Sequence, residues 1–268
     1  MESRASPPGH LAAGRARTPV APPPNESALG RVTSLKAEFF NRDPRRVARA
    51  LLGKLLVRKT PRGILAGRIV ETEAYLGQGD AAAHAAAGKT ARNAVLFGPP
   101  GHAYVYFIYG NHYCLNVSCL PDGVPGGVLF RALEPVAGIE QMAEARGIEI
   151  AKEIDLRKIS SLKKISSGPG RMAEALEITR KRDNEKSLVS QHSDLGIVDD
   201  GYRVRRVVVT PRIGIVKSAE QPLRYFIAGN PFVSGRRVHY RNFSYSALAC
   251  FKTGRSGSAS FQAAKKSW

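Results

Sequence analysis

Apolar and polar residues take turns from Ile64 to Tyr75, and this alternation predicts a strand. The segment Tyr104–Cys119 reads as two strands joined at Tyr109-Gly110-Asn111, and Val128–Leu133 as a further strand. Two more strands fit Arg203–Val209 and Leu223–Ala228. Asp43-Pro44 opens a helix that runs through Val47, Ala50 and Leu51 and ends near Gly53, with Asp as cap and Pro in the first turn. A second helix, Arg171–Leu176, follows Ser167-Gly168-Pro169-Gly170. Strands and helices come in mixed order without regular βαβ alternation, which favours an α+β fold with an antiparallel sheet.

The flanks have a different texture. Residues 1–34 hold six prolines and three glycines and show no periodic apolar face, so they read as a disordered leader. That leader lacks the apolar core of a signal peptide, and Pro22-Pro23-Pro24 would break an amphipathic targeting helix, so secretion is not expected. Residues 236–268 carry seven Lys or Arg and no acid, mixed with Ser and Gly, and read as a basic, flexible tail. The domain is expected over residues 35–235. Of the net charge of +19, the leader holds +2 and the tail +7, so +10 lies in the middle. A core that is basic in its own right attracts polyanions or an anionic membrane face.

Composition also excludes chemistry. Cys114, Cys119 and Cys250 form neither a disulfide framework nor a CxxC knuckle, and are expected as small buried residues. The six histidines make no HExxH, and the chain has no GxGxxG and no phosphate-binding Walker loop. No stretch approaches the roughly 20 apolar residues of a membrane span.

Four features could carry a reaction. On the strand Arg68–Tyr75, Glu71, Glu73 and Tyr75 share one face, while Val70, Thr72 and Ala74 share the other. Two carboxylates so placed are either neutralised by arginine at a sheet edge or serve as a general acid or base. Arg131 lies in an apolar strand and needs an anion, for which Glu71 and Glu73 are the candidates. Tyr104, Tyr106, Tyr109 and Tyr113 crowd one short segment with Phe107, either as core packing or as a platform for a flat, unpaired base. His84 stands alone in an Ala-rich segment, either structural or functional, and the amides at Ser167–Gly170 could hold a phosphate.

Hairpin register supplies a test. A two-residue turn at Gly110-Asn111 would put Tyr106 and Asn116 on opposite faces, whereas a three-residue loop or a bulge would put them on the same face. A longer loop or a bulge is the expectation.

Several motifs occur in order: Arg68-Ile69-Val70-Glu71-Thr72-Glu73-Ala74-Tyr75-Leu76-Gly77, then Tyr104-Val105-Tyr106 with Ile108-Tyr109-Gly110 and Asn116. Arg131-Ala132-Leu133-Glu134-Pro135, Ser167-Gly168-Pro169 and Pro222-Leu223-Arg224-Tyr225-Phe226 follow. Together they resemble the alkyladenine (3-methyladenine, methylpurine) DNA glycosylases over about residues 35–235. The resemblance implies a single mixed α/β domain around a curved antiparallel sheet with a protruding β-hairpin. It implies a monomer with no metal and no organic cofactor, acting on double-stranded DNA that contains damaged purines. A cytoplasmic or nucleoid location in a bacterium, or a nuclear one in a eukaryote, goes with that activity.

By position, Glu73 matches the general base that activates water, and Arg131 the residue that helps hold it. Tyr75, His84 and Tyr106 match the walls of the base pocket, and Asn116 the residue that crowds out guanine's 2-amino group. Tyr109 matches the side chain that fills the gap left by a flipped base. Two other classes remain as rivals. One is a non-catalytic damaged-DNA or RNA binding protein that uses the same aromatic segment. The other is a sugar hydrolase using Glu71 and Glu73, although neighbours on one strand do not flank a substrate as paired carboxylates do.

Overall fold

The computed structural model describes residues 32–150 and 155–235. Within them, Asp43 caps the helix α2 (Pro44–Leu51) as its sequence predicts, its Oδ1 accepting from the Arg45 amide at 2.8 Å. This helix is preceded by the short α1 (Ala37–Phe40) and followed by α3 (Ile139–Ala145) and α4 (Ile159–Ser166). Next come α5 (Pro169–Ala175) and α6 (Arg180–Asp183).

The strands are β1 (Thr33–Ser34), β2 (Leu55–Thr60), β3 (Gly63–Tyr75), β4 (Ala103–Ile108) and β5 (His112–Ser118). They continue with β6 (Gly127–Ala137), β7 (Leu195–Asp199), β8 (Val207–Thr210) and β9 (Arg224–Ile227). Every pairing is antiparallel, in the order β1-β7-β2-β3-β6-β5-β4, with β9 on β3 and β8 on β9. The sheet curls into a half-barrel with the helices packed on it, so the fold is α+β. Among the described residues no helix is long and apolar enough to cross a membrane.

β3 is the axis of this arrangement. One edge pairs with β6 along most of its length, and the other pairs first with β2 and then with β9. Val70 and Ala74 join Val47, Ala48 and Leu51 of α2 in the main core, and the Thr72 hydroxyl donates to the Ala48 carbonyl at 2.9 Å. That fixes the opposite face for Glu71, Glu73 and Tyr75. The β3–β6 ladder shifts register on both sides of Glu71, next to Arg131.

Some elements differ from the sequence pattern. Thr33–Ser34 pairs with β7 although the composition of residues 1–34 places it in the leader. β2 and β7 lie outside the predicted strands; in β2, Leu55-Leu56-Val57 is buried on both faces and shows no period of two. Of the strand expected over Arg203–Val209, only Val207–Val209 enter β8. The side chain of Val204 packs instead where Gly53 leaves room at the end of α2. Cys114 and Cys119 are free and buried, as expected. The rest of the leader, the tail 236–268 and Cys250 lie outside the described residues.

Gly77 ends β3 and turns the chain toward His84. Its φ is +82°, and a Cβ there would stand 2.1 Å from the Pro125 carbonyl oxygen. Gly77→Ala is therefore expected to cost more than about 2 kcal/mol in urea unfolding. Gly79→Ala, with nothing within 4 Å of the new methyl, is the control. Similar losses in both variants would remove the steric explanation.

Candidate active site

Glu71 and Glu73 are both fully buried on one face of β3. Two unpaired carboxylates there would be untenable, and arginines reach them from both neighbouring strands. From β6, Arg131 donates through Nε to Glu71 Oε1 at 3.1 Å and places Nη1 3.2 Å from Glu73 Oε1. From β9, Arg224 stands opposite Glu73 in the ladder and reaches diagonally to Glu71 Oε1 at 2.6 Å. Burial works against the charge on Arg131, yet the two carboxylates hold its proton more tightly than usual. The sheet-edge alternative fails, because β3 is paired on both sides. Arginine neutralises the pair, but in the interior of the sheet.

The two carboxylates have different surroundings. Glu71 also accepts from the Ser234 amide at 2.6 Å, so both its oxygens are tied to the framework. Glu73 accepts from the Ile213 amide at 2.8 Å through Oε1, and from the Tyr75 hydroxyl at 3.1 Å through Oε2. Burial, reinforced by the Glu73 charge, pushes the Tyr75 phenol well above its ordinary range, so it remains a donor. Oε2 thus has one protein partner and room for a second donor.

Two cavities meet beside this carboxylate. One, of about 130 Å³, is lined by Tyr75, His84, Leu96, Tyr104, Tyr106 and Asn116 among others. The other, of about 500 Å³, is walled by Arg131, Tyr109, His112, Ile213 and the Ser167–Arg171 segment. Tyr75, Tyr106, Ile108 and Ile215 line both. Arg131 and Tyr75, the side chains that touch Glu73, both line the larger one.

The smaller cavity is a box of rings. His84 Nδ1 lies 2.8 Å from the Tyr104 hydroxyl, and its ring meets Tyr106 edge-on at 4.5 Å. Burial, followed by the charge of Arg92, lowers the His84 pKa, which favours the neutral imidazole. The β4–β5 register decides which tyrosines line the box: Tyr104 pairs with Asn116 and Tyr106 with Cys114, across the three-residue loop Tyr109-Gly110-Asn111. Tyr104, Tyr106 and Asn116 therefore share a face, as the longer loop requires. Asn116 Nδ2 donates to the Tyr104 carbonyl at 3.4 Å. Tyr109 sits in that loop at φ 55° and is 80% exposed.

Six of the seven residues matched to roles in the sequence thus line two adjoining cavities, and the seventh, Glu73, lies buried against two of them, Tyr75 and Arg131. Several that hold them were not legible there. Arg224, Ser234 and the Ile213 amide act on the carboxylates, and Arg212 pairs with Asp80 beneath Tyr75. Arg224 lies in a motif that the resemblance includes, but its contact with Glu71 spans 153 positions and has no local signal.

Residues 38–231 match the family model for methylpurine-DNA glycosylase. A protein of Koribacter versatilis named as a 3-methyladenine DNA glycosylase is 66% identical over 211 residues, covering 79% of this chain and 98% of that protein. One so named in Methanocella arvoryzae is 44% identical, covering 75% and 96%. One in Burkholderia cenocepacia is 45% identical, covering 76% and 92%. These matches place the chain in the class of DNA glycosylases. Within that class, it belongs to the methylpurine-DNA glycosylase family.

Replacing Glu71 by Gln removes the anion that Arg131 and Arg224 share. The expected loss is about 3 kcal/mol or more in urea unfolding, since it leaves buried guanidinium charge uncompensated. A change below about 1 kcal/mol would show that Glu71 is not the anchor of this cluster.

Proposed function

We propose that this protein removes alkylated purines, and deaminated purines such as hypoxanthine, from double-stranded DNA as a monofunctional glycosylase. The damaged nucleotide flips out of the duplex into the ring-lined cavity, while Tyr109 fills the vacated stack. Water beside Arg131 and Glu73 Oε2 attacks C1′ of the sugar. The C1′–N bond breaks with its electron pair passing to the base, a C1′–O bond forms, and the water proton goes to Glu73. The products are a free base and an abasic site. The buried carboxylate of Glu73, held by three donors whose residues all line the larger cavity, carries this reading.

Physical chemistry favours damaged substrates. An alkylated purine is cationic and leaves as a neutral molecule, so its bond needs less assistance than that of adenine. Tyr75, Tyr106 and a neutral His84 present ring faces and edges instead of competing charge, and cation–π contact contributes about 0.5–2 kcal/mol for each ring. Glu73 stabilises positive charge developing on the sugar as well as taking the proton. Extrusion costs a few kcal/mol and least for damaged pairs, which adds selectivity. No lysine lines either cavity, so an amine for Schiff-base strand cleavage is missing from the described walls. The net +10 of residues 35–235 suits a polyphosphate.

Glu73→Gln keeps the shape and loses the base. Duplex with an alkylated purine should still bind, while base release falls by a factor on the order of 10²–10⁴. Release at the wild-type rate would overturn the mechanism, and base release that never occurs with the wild-type protein would favour a binding-only role.

Asn116 and Tyr109 separate discrimination from extrusion. Asn116→Ala should admit purines bearing a 2-amino group, with some loss on hypoxanthine or alkyladenine. Tyr109→Ser should slow excision of every lesion without reordering them. Released bases, measured from duplexes with single defined lesions, distinguish the two. Unchanged release of 2-amino purines by Asn116→Ala would remove the gate.

A further inference from the structure

We infer that Asp80 and Arg212 are a positioning pair that couples the seat of the base to the carboxylate used in excision. The inference rests on the reading of Glu73 as the base. Asp80 is the hub of the turn that presents His84: its Oδ2 accepts from the Leu76 amide at 3.2 Å and its Oδ1 from the Ala82 amide at 3.1 Å. Arg212 immediately precedes Ile213, whose amide donates to Glu73 Oε1. Its guanidinium forks onto Asp80 at 2.5 and 2.8 Å, and both side chains are fully buried.

The same guanidinium reaches the other parts of the site. Nη1 also donates to the Ala74 carbonyl at 3.0 Å, on the peptide between Glu73 and Tyr75. The guanidinium carbon stands 4.6 Å over the Tyr75 ring. Nη2 lies 3.5 Å from the Ser218 carbonyl, which closes the loop bearing Ile213 and Ile215. One planar cation thereby joins the His84 turn, the Tyr75 wall and the loop that holds Glu73.

Stability alone is a poor account of this pair. A buried ion pair is often replaced by apolar side chains without loss, and here the fold also leaves the buried Arg212 Nε without a hydrogen-bond partner. What a rigid fork supplies is fixed geometry. Burial raises the Asp80 pKa, but the hydrogen bonds and charge of Arg212 together with the Leu76 and Ala82 amides outweigh it and hold the carboxyl below its ordinary value, so the fork remains charged on both sides.

The test uses Arg212→Lys, which keeps the charge without the fork, and Asp80→Asn/Arg212→Gln, which leaves no unpaired buried charge. Single-turnover excision of an alkylated purine is followed at increasing excess of protein, with thermal unfolding and undamaged-duplex affinity measured alongside. The rate constant at saturation should fall by about 10- to 100-fold, while the half-saturating concentration and undamaged-duplex affinity stay within about twofold. The double variant should fold and lose no more than Asp80→Asn and Arg212→Gln, measured singly in the same assay, predict when combined. Rates within about twofold of wild type, or a loss confined to half-saturation, would overturn the inference. Glu73→Gln in the same assay separates the two readings. If it is inactive while the pair's variants are normal, only the coupling fails; if it is active, the assignment of the base fails.

Discussion

Two fully buried carboxylates two residues apart on one strand are the constraint on which the rest of this structure depends. Each would cost several kcal/mol to bury alone, so the fold must bring cations to both. It does so by placing β3 between β6 and β9, each carrying an arginine on the same face. The constraint also accounts for the division of labour between the two acids. Glu71 receives two guanidiniums and an amide and anchors the sheet. Glu73 has one guanidinium, that of Arg131, and the Ile213 amide on one oxygen, and leaves the other to the Tyr75 hydroxyl alone.

The cavity for a flat ring is assembled on that base by different means. Rigid ladder pairing puts Tyr104, Tyr106 and Asn116 on a common face, and the turn after β3 brings His84 against them. A three-residue loop with positive φ at Tyr109 and Gly110 makes the register possible. A loop one residue shorter would turn Asn116 away from Tyr106 and dismantle the box. Membership of the methylpurine-DNA glycosylase family and the geometry of this box together underlie the proposed function.

Ionic contacts elsewhere show that burial of charge is a general device in this domain. Arg58 is wholly buried against Asp183, and Arg68 grips Asp200 while lying over the Tyr202 ring. These pairs tie β2 to the end of α6 and β3 to the residue that follows β7. None of them lines either of the two cavities, which separates framework charge from the charge at the site.

The sequence by itself determined the helix cap at Asp43, the alternation that gives β3 its two faces, and the motifs that identify the family. These are local signals, set by a period of two or by residues adjacent in the chain. It also determined that Arg131 needed an anion, but left Glu71 and Glu73 as equals. Only tertiary structure decided that Arg131 serves both, that Arg224 and Ser234 single out Glu71, and that Arg212 crosses 132 positions to Asp80. It also decided β2, whose apolar run carries no alternation because both faces are covered, and β7, a five-residue strand set by its pairing with β1 and β2. The reason is the same in each case: a buried charge or a doubly buried strand is defined by what packs against it, and its neighbours in the chain say little about that.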